Sequence, residues 1–165
     1  MRTMWRSRFS STSARRCGRC WSRCPSARRR RRARPRAEID ELCGRFANWL
    51  VLAHHVAGRG ELLRARDALG HVQRHLLWMA RLVAGRTEHW LTPSRCAERE
   101  LPPDPLAELR GIAVADNDVH AAIRCAWRCG RRWWIELARR HGGAVPQQLF
   151  AEIDAAMASR APRGR

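Results

Sequence analysis

The chain has 165 residues and a formal net charge of +18, because 33 arginines oppose 15 acidic residues and lysine is absent. This length suits a single domain of ordinary size. No apolar run resembles a signal peptide or reaches the length of a membrane span, so neither an exported protein nor a membrane partner is expected. Seven cysteines, an odd number, then favour reduced thiols in a cytoplasmic protein over a disulfide framework.

The charge is unevenly distributed along the chain. Residues 1–37 hold 14 arginines and no acidic residue, whereas residues 38–165 carry a formal charge of +4. We predict a disordered basic tail over 1–37, because arginine self-repulsion and few apolar residues cannot offset chain entropy. A mis-assigned or frame-shifted start is the favoured explanation of its composition, although organelle transit peptides share that composition. A helical domain over 38–158 and a disordered C-terminus over 159–165 are expected to follow.

Two long amphipathic helices are predicted first. Apolar residues at steps of three and four begin at Ile39, after acidic residues that complement a helix dipole, and the helix ends around Arg59 between two glycines. A second helix runs from about Glu61 to Ala84 and stops at Gly85. The short connection predicts an antiparallel hairpin.

The second half of the chain predicts further helices and no strand. Thr92 is a candidate cap for a short helical turn that starts at Pro93, and another short helix is expected around Leu106–Ile112. Asp116 or Asn117 caps a third long helix, in which Gly130 predicts a close backbone approach. A last helix is predicted from Pro146 to Ala158. The fold class is therefore an all-α, up-and-down bundle of about four main helices.

Cysteine and histidine spacings give only weak metal signals. Cys17-x2-Cys20-x3-Cys24 is half a zinc site, which makes a small zinc protein one alternative, but no second ligand pair follows. Cys125 and Cys129 share a helix side, where buried core cysteines are the commoner interpretation. The pairs His54-His55 and His71/His75 lack the glutamate of an HExxH motif, so exposed histidines or interhelical hydrogen bonds are expected. No metal ligand is assigned.

Carboxylates that could bind a metal ion together with a nucleotide are also missing from the pattern. Such a site needs two or three carboxylates that hold Mg²⁺ against a triphosphate. The single Asp-x-Asp sequence, Asp116-Asn117-Asp118, precedes a helix and favours capping, and no Walker-type phosphate loop occurs.

A nucleic-acid-binding protein is the main alternative function. Arginine clusters interspersed with Trp5 and Trp21 can contact phosphates and stack on bases, with salt-sensitive and sequence-independent binding. A solvated tail that binds polyanions nonspecifically explains the same composition.

A set of short motifs between residues 45 and 141 carries a family resemblance. Their order and spacing resemble the C-terminal helical half of the lincosamide and aminoglycoside nucleotidyltransferases (adenylyltransferases). The motifs are Arg45-Phe46, Gly58-Arg59-Gly60-Glu61, Leu76-Leu77-Trp78-Met79-Ala80-Arg81-Leu82, His89-Trp90 with Thr92-Pro93-Ser94-Arg95, Leu101-Pro102-Pro103 and Ala126-Trp127 near Gly130-Arg131.

The resemblance implies a domain that binds the antibiotic while a catalytic half transfers AMP from ATP with Mg²⁺. It implies one of three carboxylates as general base: Glu61, Asp67 or Glu88. Substrate contacts are expected from Trp78, Arg81, Trp90 and Arg95.

The catalytic half of that family has no counterpart in this sequence, since its Gly-Ser and Asp-x-Asp motifs are absent. We therefore expect the chain to be inactive alone and to bind no cofactor by itself. It is interpreted as a truncated gene product, or as a chain that works with a separate catalytic chain or self-associates.

Overall fold

The structure is a computed structural model that describes residues 34–113 and 118–158, the side chain of Ala113 excepted. The predictions for most of the basic tail and for 159–165 lie outside the described residues. Within them the all-α prediction is confirmed, because every regular element is a helix. In chain order the helices are α1 (Arg36–Gly58), α2 (Leu62–Ala84), α3 (Ala97–Glu100), α4 (Pro103–Ala113), α5 (Val119–His141) and α6 (Gln147–Ala158).

Three helices of 23 residues form the centre of the fold, with α1, α2 and α5 in mutual contact. The connection between α1 and α2 turns at Gly60, whose φ of 79° is readily adopted by glycine. This confirms the predicted hairpin. The buried face of α5 consists of the apolar residues that the sequence pattern selected, from Val119 to Leu137.

Two of the three shorter helices, α4 and α6, pack on this centre rather than forming a symmetric fourth layer. Helix α4 contacts α5 and α2. Helix α6 is joined to α5 through Phe150, whose ring meets Trp127 and Trp134 edge-on at centroid distances of 5.3 and 5.2 Å. Trp127 Nε1 also donates a hydrogen bond to Asp154 Oδ1 at 2.6 Å. The core is thus three long helices with two shorter ones attached.

Several predicted helix ends were wrong by a few residues. No helix begins at Pro93; successive turns follow until Cys96 caps α3. Helix α4 starts at Pro103, since proline suits a first turn that lacks hydrogen-bond acceptors for its N–H groups. The cap of α5 is Asp118, which accepts a hydrogen bond from the Ala121 N–H at 2.9 Å.

Gly130 is approached closely by a side chain and not, as predicted, by backbone. A β-carbon built on Gly130 would lie 2.1 Å from Cζ of Phe46, whose ring is fully buried. Phe46 also stacks on Trp127 at a centroid distance of 6.4 Å. Because Gly130 has no side chain, α5 leaves room for the Phe46 ring, and α1 packs closely against α5 at this point.

His71 and His75 pack their rings against tryptophans, and the hydrogen bond that joins them lies within α2 and not, as expected, between two helices. The ring of His71 stacks on Trp49 at 4.0 Å and joins α2 to α1. His75 is buried, its Nδ1 lies 2.7 Å from the His71 carbonyl oxygen, and its ring meets Trp78 edge-on. Since a carbonyl only accepts, Nδ1 carries the proton in this contact.

Replacement of Gly130 by alanine is expected to destabilise the protein by about 1–2 kcal/mol. Overpacking against Phe46 costs more than the improved helix propensity returns. Gly70→Ala is the matched control, because that glycine is helical, exposed and has open space around it. It should stabilise the protein by up to about 1 kcal/mol. Urea denaturation followed by circular dichroism measures both; equal effects would contradict the packing assignment.

A second prediction concerns pH. Burial lowers the pKa of His75, so its protonated form is disfavoured in the folded state. The unfolded chain binds this proton more readily, and stability is lost as the pH falls through the unfolded value of about 6.5. His75→Gln should flatten the loss of stability between about pH 7 and pH 5. His55→Gln, at an exposed position of α1, is the control, and identical pH profiles for the two variants would refute the prediction.

Candidate functional site

The candidate site is the segment that joins α2 to α4, where most of the motif residues converge. Helix α2 ends at Gly85 with φ 64°, and the Arg86 N–H bonds back to the Arg81 carbonyl at 2.8 Å. This is the glycine-terminated helix end that reverses the chain direction. Consecutive turns from His89 to Ala97 then lead into α3.

Arg81 holds this segment together from inside. Its side chain has 0% solvent exposure. Its Nε donates to the Pro93 carbonyl at 2.7 Å, and its Nη2 donates to the Arg95 carbonyl at 2.6 Å. Its Nη1 reaches the Arg86 carbonyl at 3.2 Å and Glu100 Oε2 at 2.8 Å. One guanidinium thus satisfies three loop carbonyls and one carboxylate, a geometry that only arginine's planar fork provides.

Glu100 neutralises the buried cation and reaches a second neighbour. Its side chain is 19% exposed, and its Oε1 lies 3.3 Å from Nε2 of His89. A buried charge without a partner would be strongly destabilising, so the Arg81–Glu100 pair is a condition for burying this arginine. The sequence interpretation missed Glu100. The available signal was Arg81 inside the apolar run from Trp78 to Val83, because a buried arginine needs a carboxylate partner elsewhere in the chain.

Trp78 and Trp90 form an aromatic surface on this segment, here called the aromatic wall. Trp78 Nε1 donates to the Trp90 carbonyl at 2.7 Å, and the two rings lie 5.9 Å apart at 32°. The guanidinium carbon of Arg34 lies 3.8 Å from the centre of the Trp90 ring, a cation–π contact. Both indoles are half-buried. The loop therefore presents aromatic surface to groups outside the core.

The predicted site residues separate into two groups. Trp78, Arg81, Trp90, Arg95 and Glu88 lie at the C-terminal end of α2 or in the segment that follows it. Arg95 contributes its carbonyl to Arg81, whereas its side chain is exposed, as is that of Glu88.

Glu61 and Asp67 belong to the opposite end of α2, with Glu61 roughly 30 Å from Arg81 at 1.5 Å per helical residue. Glu61 also pairs with Arg59 at 2.6 Å and with Arg64 at 3.2 Å. Hydrogen bonds from these two arginines lower the pKa of Glu61. The fold therefore does not bring the three candidate bases together.

Of the two cysteines on one side of α5, Cys129 lies in the core, as the pattern favoured, whereas Cys125 is half-buried. Cys129 is buried, and its thiol donates to Glu108 Oε2 at 3.0 Å. Burial, followed by the contact with Glu108, raises the pKa of Cys129. Burial also raises the pKa of Cys43 to about 12. Both thiols are unreactive at neutral pH. The Cys17, Cys20 and Cys24 spacing lies outside the described residues.

Magnesium does not fit the described carboxylates. Mg²⁺ prefers several oxygen ligands. Asp118 is occupied as the α5 cap and lies 3.9 Å from Arg124, while Asp116 lies outside the described residues. Among the described residues, the one group of three potential metal ligands contains a single carboxylate. No step of nucleotidyl transfer is therefore assigned to a metal held by this part of the chain.

The family follows from a comparison with known protein families. A model described as lincosamide nucleotidyltransferase-like, C-terminal domain, matches residues 36–155. The chain belongs to this family. The match spans α1 to most of α6 and includes the segment that joins α2 to α4. It confirms the resemblance that the motifs indicated. No curated protein is significantly similar to the chain.

Membership of the lincosamide nucleotidyltransferase-like family is consistent with the use of ATP and Mg²⁺ by a complete enzyme of this kind. In the described part of the chain, no helix combines the length and apolarity needed to cross a bilayer.

Removal of the Arg81 side chain tests its role in this domain. Arg81→Met should destabilise the protein by about 3–5 kcal/mol, because Glu100 and three loop carbonyls lose their partner. Arg81→Lys should fall between Met and the native residue, since an ammonium cannot reproduce the planar fork. Arg95→Ala, which removes an exposed side chain and keeps its carbonyl, is the control with little effect. Urea denaturation compares them, and equal stability of Arg81→Met and Arg95→Ala would contradict the assignment.

Proposed function

We propose that residues 36–158 form the substrate-binding domain for transfer of AMP from ATP to a hydroxyl group of a lincosamide or aminoglycoside antibiotic, an antibiotic-resistance activity. The observation that carries the proposal is the family match together with a loop that Arg81 organises within the matched residues. The loop presents Trp90, and the neighbouring Leu91 is 93% exposed. Binding sites commonly combine such apolar and aromatic surface with a few placed polar groups.

Charge favours the lincosamide over the aminoglycoside. The exposed side chains of Arg86, Arg95 and Arg99 outnumber those of Glu88 and Glu98 around the loop, and Arg34 already lies over the Trp90 ring. A polycationic aminoglycoside would be repelled by this field, whereas a lincosamide carries less positive charge and has an apolar part that can pack on indole rings. Trp78 and Trp90 form the wall in this proposal, and Arg81 positions them.

Glu88 is the preferred general base among the three candidates. It is exposed and lies two residues before Trp90, whereas Glu61 and Asp67 belong to the other end of α2. A base must reach the hydroxyl hydrogen directly or through one water, so proximity to the aromatic wall decides. The lowered pKa of Glu61 further weakens it as a proton acceptor.

A separate catalytic chain supplies the nucleotide-binding carboxylates in this proposal. The described residues do not offer the oxygen-rich site that Mg²⁺ requires. The exposure of Leu91 beside the aromatic wall supports contact with such a chain, or self-association, at this end of the molecule.

The test separates binding from transfer. The purified full chain is titrated with a lincosamide and an aminoglycoside by calorimetry, and is incubated with labelled ATP, Mg²⁺ and each antibiotic. We expect saturable lincosamide binding, weaker aminoglycoside binding and no labelled product. Absence of binding to both antibiotics would overturn the substrate-binding role, and labelled product from the chain alone would overturn the need for a partner.

Matched variants locate the site. Trp90→Leu should weaken lincosamide binding at least tenfold. Trp49→Leu, which alters the stacking of α1 on His71 away from the loop, should leave the affinity within about twofold. Equal losses in both variants would place the binding elsewhere.

A further inference from the structure

Three side chains of types that bind metal ions lie close together in the segment that joins α2 to α4. One nitrogen of His89, the Sγ of Cys96 and a carboxylate oxygen of Glu100 all lie within 4.8 Å of one another. In the described part of the chain, no other three residues of these types meet in this way. Neither the sequence spacing nor the family description assigns this cluster.

The backbone places Cys96 in the cluster at a conformational cost. Cys96 has φ 55°, and in the described ranges it is the single residue other than glycine with a positive φ. A left-handed conformation is uncommon for a residue with a β-carbon, because the β-carbon comes too close to the backbone carbonyl oxygen. It turns the chain into α3 and sets the thiol beside His89 and Glu100.

His89 has a nitrogen without a hydrogen-bond partner. Its Nε2 is inaccessible to solvent and makes no hydrogen bond to the described residues, although Glu100 Oε1 lies 3.3 Å away. A buried polar atom without a partner is costly, and a bound ion is one recognised explanation for it. The imidazole nitrogen is therefore available to a cation at the centre of the cluster.

We propose that His89, Cys96 and Glu100 bind one Zn²⁺ ion. Zinc accepts imidazole, thiolate and carboxylate ligands together at bond lengths of about 2.0–2.3 Å in tetrahedral geometry. Ligand atoms within 4.8 Å of one another need shifts of roughly 1 Å or less to reach such bonds. Thiolate and carboxylate bring two negative charges to a site that holds the ion and the Arg81 guanidinium, and the fourth position is left to water.

Arg81 orients one of the ligands from the second coordination shell. Its Nη1 holds Glu100 Oε2 at 2.8 Å, which leaves Oε1, on the His89 side, for the metal. Hydrogen bonds of this kind fix ligand carboxylates and tune metal affinity. The ion would then join the turn before Trp90 to helix α3 and fix the aromatic wall in place.

Metal content of the full chain is the first test. Protein purified without added metal and then equilibrated with Zn²⁺ should retain one equivalent after desalting, measured by mass spectrometry of the metal. Replacement by Co²⁺ should produce a thiolate-to-cobalt charge-transfer absorption band. Absence of a retained equivalent, or a cobalt spectrum without that band, would overturn the proposal.

Variants assign the ligands. Cys96→Ser should lower Zn²⁺ affinity at least tenfold and remove the cobalt charge-transfer band. Cys96→Gly should do the same while keeping the helical circular dichroism spectrum, because glycine readily adopts the positive φ. Cys125→Ser, at a half-buried position of α5, is the matched control and should keep both signals.

The basic tail contains its own cysteines, so it needs a separate control. The double variant Cys17→Ser/Cys20→Ser should still retain the Zn²⁺ equivalent and the cobalt band. If the double variant loses the Zn²⁺ equivalent and the cobalt band while Cys96→Ser and Cys96→Gly keep them, the proposal is overturned and the metal belongs to the tail.

Discussion

The buried guanidinium of Arg81 is the interaction on which the functional end of this domain depends. It lies near the C-terminal end of α2, and it donates all of its described hydrogen bonds to the segment beyond that helix. Irregular backbone needs partners for its carbonyl groups when it packs on a core. Arg81 supplies these partners for Arg86, Pro93 and Arg95, so the loop has a defined conformation without regular secondary structure.

The long helices set the position of this arginine. The stacking of His71 on Trp49 fixes α2 against α1, and the insertion of Phe46 over Gly130 fixes α1 against α5. Such contacts are close-packed and tolerate little displacement. Because Arg81 is one turn from the end of α2, its guanidinium meets the returning chain only if that packing is correct. Core packing and loop geometry are therefore two parts of one arrangement.

The sequence alone predicted the long helices, but it did not predict the conformation of the loop after α2. The spacing of Ile39 to Ala53 and of Val119 to Leu137 repeats every three to four residues, so a local rule found α1 and α5. Contacts across the fold obey no local spacing: Arg81 and Glu100 are 19 residues apart, and the turns between them depend on Gly85 and Cys96. The same limit explains why Thr92 and Pro93 suggested a helix start, whereas the hydrogen bonds to Arg81 impose turns.

Glu100 connects the two proposals made for this loop. One oxygen serves Arg81, which shapes the aromatic wall, and the other faces His89, which lies next to Trp90 in the chain. A cation bound by His89, Cys96 and Glu100 would draw on the oxygen that Arg81 leaves available, so the ion and the arginine need not compete. Binding of metal would instead restrict the turn that carries Trp90, and preorganisation of a binding surface improves affinity by reducing the entropy lost on association. In these proposals the loop after α2 couples the stability of the domain to metal binding and to substrate recognition.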